Sequence, residues 1–455
     1  MNTAARPGLR PGLEKRLPPG PSGLKLYLSL SRAPRGWLGF LAGLAKDYGD
    51  IVFFRVFHVS ACFINRPEYI ESVLVSDFRH YFKSKDYVPL KAVMGQGLVT
   101  SEGEFWRRQR QLVQPAFHRG RIGAYGRIMV DYAEKMIATW RDGETRDAHH
   151  DMMRLTLDIV AKTLFDADVT SEAGDIGEAI EKAMNRFANI GWISMFLPRS
   201  MEEPGRLLFR GTIRRLDDII YRIIRTRRES GPDPGDLLSM LLQAQAEDGG
   251  RMTDRQVRDE VMTLFLAGHE TTANALAWTW YLLSLHPEVE DRLHSELREV
   301  LAGRSPRWED VPRLQYTQMI VKESLRLFPP VWGIGRETLR EIQLGDYPLP
   351  AGTNVFISQW VTQRDPRFFD RPHDFLPERW NDEFEKRLPK FAYFPFGGGP
   401  RVCIGASFAS MEAALLLATI AQRFRLTLAA GHPVHPYASA ALRPKHGIRV
   451  TLRKR

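Results

Sequence analysis

A chain of 455 residues that is 44% apolar and 26% charged can bury a large core, and it is too apolar to remain disordered. Two cysteines, Cys62 and Cys403, exclude a disulfide framework and fit a reducing compartment. A net charge of +10 can attract acidic proteins, anionic membranes or nucleic acid. The basic residues are scattered, however, so solvated surface is expected and no nucleic-acid partner is expected.

Residues 1–22 read as a proline-rich leader, with Pro18-Pro19-Gly20-Pro21 as a stiff entry to one domain spanning 23–455. Arg6, Arg10, Lys15 and Arg16 have no apolar stretch behind them, so a secretory signal is not expected. No segment approaches the ~18–20 apolar residues of a membrane span, and the expectation is a soluble, cytoplasmic monomer. Ile51–Arg55 and Ala61–Asn65 are β-branched and aromatic runs that predict an early hairpin, with Cys62 as a small buried thiol.

From Pro67 to about Leu327 the pattern is mainly helical. Arg206–Arg228 predicts an amphipathic helix with Ile213, Leu216, Ile220 and Ile223 turned inward and its arginines in solvent. Gly231–Gly235 breaks it from the next helix. Met252–Leu285 is the longest helical pattern, opened by a capping box of Thr253 and Gln256 and closed at Pro287. Its middle, Ala267-Gly268-His269-Glu270-Thr271-Thr272, is polar for a buried helix. Two explanations stay open: a kink with satisfied polar groups, or a local opening that sets an acid and a hydroxyl beside a ligand. Beyond Pro329 the chain turns to short strands and coil. The fold class is therefore mainly α with a small β-rich part.

The strongest signal is Phe396-Gly397-Gly398-Gly399-Pro400-Arg401-Val402-Cys403-Ile404-Gly405. Three glycines let backbone approach a flat ligand where a Cβ would clash. Cys403 precedes a helix expected from Ala406 through Met411 to Ile420, whose N–H groups and dipole favour thiolate. A buried structural cysteine would explain Cys403 but not the glycines or Arg401.

This segment resembles the haem-binding loop of the cytochrome P-450 family, F-x-x-G-x-R-x-C-x-G, at every fixed position. The resemblance implies that fold, with haem b between the long central helix and the helix after the cysteine. It makes Cys403 the iron ligand and sets Phe396, Gly397, Arg401, Gly405 and Ala267 against the haem. Trp106-Arg107-Arg108-Gln109-Arg110 is similar to the family's W-x-x-x-R helix, so Trp106 and Arg110 are expected at the propionates, with Arg336 beside them. Glu323-Ser324-Leu325-Arg326 and Pro377-Glu378-Arg379-Trp380 resemble the structural E-x-x-R and P-E-R motifs, while Gln363 stands where many members have histidine.

Ala267–Thr272 matches the family's A-G-x-D/E-T-T motif, which implies that Glu270 and Thr271 deliver protons during O–O cleavage. The implied activity is insertion of one atom of O2 into an apolar small molecule, lipid-like or terpenoid. Too few residues follow Cys403 for a fused reductase, so electrons are expected from a separate ferredoxin or flavodoxin with its reductase. A peroxide-driven haem-thiolate enzyme and a non-enzymatic haem sensor are the alternatives, and Glu270 with Thr271 argues against both. Substrate-facing residues are expected in Tyr87–Gly97, Phe187–Leu197, Phe265–His269, Val331–Ile334 and Ala440–Leu442, with Trp192, Phe196 and Trp332 as large aromatics.

Overall fold

The computed structural model describes residues 17–31, 33, 36–166, 210–229, 236–243 and 251–455. The β-branched and aromatic residues after Asp50 form the expected hairpin. Ile51–Val56 and Val59–Ile64 pair antiparallel, from Ile51 opposite Ile64 to Val56 opposite Val59. The sheet continues through Asn354–Ile357 and Ile334–Thr338 to Tyr81–Lys83, so strands from both ends of the chain share it. Cys62 is fully buried in the cluster beneath this sheet, and burial pushes its thiol far above the ordinary value. Tyr81–Lys83 and Thr145–Asp147 interrupt the region expected to be helical. Three-residue strands carry too short a pattern to show in sequence.

The long helix is Asp254–Leu285, 32 residues or about 48 Å. Thr253 and Gln256 form the capping box at its start. The helix runs through residues 267–272 without a break, so the local opening is not found. Thr271 and Thr272 instead return their hydroxyls to the Ala267 and Gly268 carbonyls, at 2.8 and 3.3 Å. Gly268 allows a close crossing with the helix Ala148–Phe165: a Cβ there would stand 3.0 Å from Val160 Cγ2. His269 is buried with Nδ1 on the Phe265 carbonyl, and burial pushes its imidazole down to about 4.

Arg210–Glu229 is amphipathic as expected, with Leu216, Ile220 and Ile224 buried and Ile213 and Ile223 half-buried. Arg227 departs from the expected solvated face: it turns inward to Asp236, to Ser239 at 2.7 Å and to the Phe165 carbonyl at 3.0 Å. Gly231–Gly235, Phe187–Leu197, Trp192 and Phe196 lie outside the described residues.

A polar lock holds the half of the core behind the cysteine loop. Glu323 and Arg326, both fully buried, meet at i, i+3 through two 2.9 Å bonds. Arg379 and the Trp380 indole also donate to Glu323, and Arg326 spends its other donors on the carbonyls of Gln363, Pro372 and Asp374. Gln363 donates to the Leu325 and Arg326 carbonyls and accepts from the Phe394 N–H, so it is structural. Among the described residues, no helix is long and apolar enough to cross a membrane.

Candidate functional site

Ala406–Ala421 forms the helix behind Cys403. In the loop before it, the Cys403 N–H donates to the Phe396 carbonyl and the Val402 N–H to that of Gly399, each at 3.0 Å. Arg110 clamps the loop from outside by donating to the Val402 carbonyl at 2.8 Å. The three glycines divide their work differently from the sequence expectation. A Cβ on Gly398 would stand 2.1 Å from the Phe391 ring, and one on Gly399 2.0 Å from the Leu74 carbonyl oxygen. Those two are required by the protein's own packing. Gly397, at φ 71°, is the one that faces the cavity.

Cys403 opens onto a cavity that Phe396, Gly397, Arg401, Gly405 and Ala267 also line. The expected ease of thiolate formation is corrected. Burial raises the thiol above its ordinary value, and the Gly405 N–H and the Arg110 charge offset this only in part. A thiolate here therefore calls for a cation bound at the sulfur, as a metal would be.

One edge of the cavity is cationic. Arg401 donates to the Ser101 carbonyl at 3.0 Å and to Glu102, and its guanidinium lies 3.8 Å over the centre of the Trp106 ring. Arg336 donates to the Gly335 carbonyl at 2.8 Å, and its charge lies near the Tyr87 hydroxyl. Lys83 stands directly opposite Arg336 in the paired strands and donates to the Ser101 carbonyl at 2.8 Å. Lys83, Arg110, Arg336 and Arg401 all line the cavity. Like charges directly opposite in a sheet repel. Burial, together with Arg401 and Arg336, drives Lys83 well below the ordinary lysine range, and burial lowers Arg401 to about 10. Glu102 offsets part of this charge. The edge suits a ligand bearing carboxylates, such as the two propionates of haem. Lys83 had no motif to mark it, whereas Tyr87 heads the Tyr87–Gly97 segment expected to face the substrate. Lys83 earns its place only through strand register with Arg336.

The long helix supplies the wall. Thr263, Leu264, Ala267, Gly268, Thr271, Thr272 and Ala275 recur on one face and reach the cavity. Glu270 is buried but falls off that face and does not line the cavity, so the expected acid–alcohol pair does not present both members together. Val160, Leu164, Val321, Leu325, Val331 and Ile334 make the other walls apolar. Trp332, expected to face the substrate, packs in the N-terminal cluster and donates to the Ser439 carbonyl at 2.9 Å. None of Ala440–Leu442 reaches the cavity.

Cys403, an unbalanced cationic rim and an apolar wall broken by hydroxyls thus meet in one cavity that fits haem. A family model for cytochrome P-450 matches residues 18–452. Cyclooctatin synthase of Streptomyces melanosporofaciens is 39% identical over 97% of this chain and 96% of its own. Pentalenene oxygenase of Streptomyces avermitilis is 35% identical over 92% of this chain and 93% of its own. A crystal structure of a cytochrome P-450 haem domain superposes with a TM-score of 0.85 at 27% identity, covering 96% of this chain and 98% of that one. With cavity, fold and sequence in agreement, the chain belongs to the cytochrome P-450 family and is a haem-dependent monooxygenase.

Proposed function

We propose that the protein hydroxylates a cyclic terpenoid, with Cys403 as the iron ligand and Lys83, Arg110, Arg336 and Arg401 holding the propionates. The observation that carries this reading is the single cavity joining Cys403, the cationic rim, Thr271 and apolar walls. Two relatives support the substrate class, since their names tie one to cyclooctatin and the other to pentalenene.

Haem, when bound, supplies the iron at which dioxygen is reduced and split. The chain's residues set the conditions. Cys403 would hold the iron through its sulfur and, as a thiolate, would be the electron-rich ligand that favours O–O cleavage. Thr271 presents a hydroxyl to the cavity, with Glu270 behind it on the adjacent face as a source of protons. The apolar walls exclude water and hold a hydrocarbon skeleton by burial.

Electrons come from a separate ferredoxin or flavodoxin in this reading. The working form in this reading is a cytoplasmic monomer, and the two free cysteines suit a reducing compartment. Reduced protein with carbon monoxide should show the red-shifted Soret band of a thiolate-ligated haem, and Cys403→Ala should lose it. A folded Cys403→Ala protein that keeps the band would overturn the ligand assignment. Titration with cyclic terpenes should give a low- to high-spin shift in the Soret region. Absence of that shift across sesqui- and diterpenes would overturn the substrate class.

A further inference from the structure

Trp308 is 43% exposed, whereas every other described tryptophan is buried or half-buried. Leaving that much indole in water forfeits burial energy, yet the residue is held firmly in place. Its short turn, Trp308–Arg313, is locked by Asp310, which accepts from both terminal nitrogens of Arg304 at 2.6 Å and from the Arg307 N–H at 2.9 Å. Ser305 ties the same stretch to Glu134 on the helix Arg119–Ile137. The indole rests on that helix where side chains are missing: a Cβ on Gly123 would stand 3.0 Å from the ring, and one on Gly126 3.0 Å from Trp308 Cβ. Trp308 is thus presented rigid, which lowers the entropy lost when a partner covers it.

This surface stands over the helix that follows Cys403. The missing Cβ at Gly126 would also lie 3.3 Å from Leu415 Cδ1 and 3.8 Å from Met411 Sδ, so the helix Arg119–Ile137 is sandwiched between Trp308 and Ala406–Ala421. One turn before Met411, Phe408 lines the cavity, and Tyr125 packs edge-on against it with 5.8 Å between ring centres. The chain enters this helix from Gly103–Val113, whose Arg110 grips the Cys403 loop, by way of Gln114–Phe117. Basic residues are in excess: Arg119–Ile137 and residues 304–313 carry seven against four acidic ones, of which Asp310 is buried. Arg127, 89% exposed, stands one turn from Gly123 on the same stripe, and exposed Arg307 and Arg313 flank the indole in its turn. Arg127 and Arg313 have their acids only at 3.8 and 4.0 Å, as loose exposed pairs.

We propose that Trp308 is the apolar anchor on which a small acidic electron carrier docks, with Arg127, Arg307 and Arg313 meeting the carrier's carboxylates. This rests on the reading above that electrons come from a separate protein, and it names the surface that receives that protein. Tryptophan and arginine are the side chains that carry most of the energy at interfaces, and a rigid aromatic ringed by charge is how such sites are built. A carrier seated there is separated from the cavity by Arg119–Ile137 and the helix behind Cys403, which Tyr125 and Phe408 bridge. Each encounter moves one electron: the carrier is oxidised and the ferric haem becomes ferrous.

The test mixes haem-loaded protein with a reduced acidic [2Fe–2S] ferredoxin in stopped flow under carbon monoxide, and measures ferredoxin Kd by calorimetry. Trp308→Ala should lower the second-order rate of haem reduction and weaken Kd, each about ten-fold, as loss of an interface anchor does. Trp308→Tyr, which keeps a large ring with a polar tip, should stay within about three-fold of wild type. Reduction by dithionite needs no docking and should be the same in all three proteins. A Trp308→Ala protein with wild-type rate and Kd would overturn this proposal and leave the separate donor intact. An equal loss with dithionite would place the effect at the haem and overturn it too. A change confined to self-association in sedimentation would assign the surface to a second copy, with the same consequence. If neither ferredoxin nor flavodoxin reduces the wild type, the separate-donor reading fails and this proposal with it.

Discussion

At Thr271 one hydroxyl has two competing uses. It donates to the Ala267 carbonyl at 2.8 Å, which keeps the helix regular, and it faces the cavity, where its lone pairs remain free to accept. Valine would preserve the helix and remove the polar group; alanine would also make room for water. Proton transfer by a positioned side chain contributes about 10²–10⁴-fold to a rate. Thr271→Ala should therefore bind haem and substrate as before, while product formed per NAD(P)H consumed falls several-fold and peroxide rises. The measurement is coupling with reconstituted redox partners. An unchanged ratio would mean that another group delivers the protons. Glu270 is off the cavity face, so Glu270→Gln should act on the rate of proton supply and leave ligand binding unaltered.

At the scale of elements, two carboxyls are buried among helices and loop at a cost that depends on pH. Glu260 holds the loop at Leu98, and Glu412 sits fully buried on the helix that follows Cys403. Burial raises each from 4.5 to about 8. The sign follows from proton counts: between these values the folded state holds protons that the unfolded state has released. Their contribution to stability is complete below about pH 4.5 and is lost as pH rises through about 8. The loss is on the order of a few kcal/mol per carboxyl. The Tm of haem-loaded protein should fall from pH 5 to pH 8.5, and Glu260→Gln or Glu412→Gln should flatten that fall. Thermal scans across the range check it, and wild-type and variant curves that stay parallel would show that the carboxyls ionise without cost.

The same scale explains what could be read in advance. The Cys403 loop, the capping box at Thr253 and the Glu323–Arg326 pair are local spacings, and each lies where the spacing put it; Arg379 joins Glu323 across 56 residues, as the family resemblance implied. Lys83 depends on register with Arg336, and Gly398 and Gly399 on contacts with Phe391 and Leu74. These are long-range facts that no local pattern contains. Glu270 was misplaced for a third reason: a motif names neighbours in sequence, while a helix turns each residue by 100° and leaves adjacent ones on different faces.

For the whole molecule, electrons must reach the cavity onto which Cys403 opens. The helix Gly103–Val113 links surface to site: Trp106 and Gln109 turn inward, Arg110 grips the Val402 carbonyl next to Cys403, and Arg107 remains 51% exposed by side chain. Arg107 already has an ion pair with Glu104 at 3.2 Å, but an exposed pair of that kind is weak and can be exchanged for a partner's carboxylates. With a net charge of +10, the molecule should attract an acidic ferredoxin, and the patch at Arg107 and Arg108 lies on the short route to the cysteine loop. Complementary charge acts chiefly on the encounter rate, and salt screens exposed charges beyond ~8 Å at physiological ionic strength. The second-order rate of haem reduction should fall about ten-fold or more between low and high salt. Arg107→Glu with Arg108→Glu should slow it at low salt while substrate affinity stays the same. Stopped-flow reduction by an acidic ferredoxin at several salt concentrations measures both effects. A rate that ignores salt and charge reversal alike would move the docking face away from this helix.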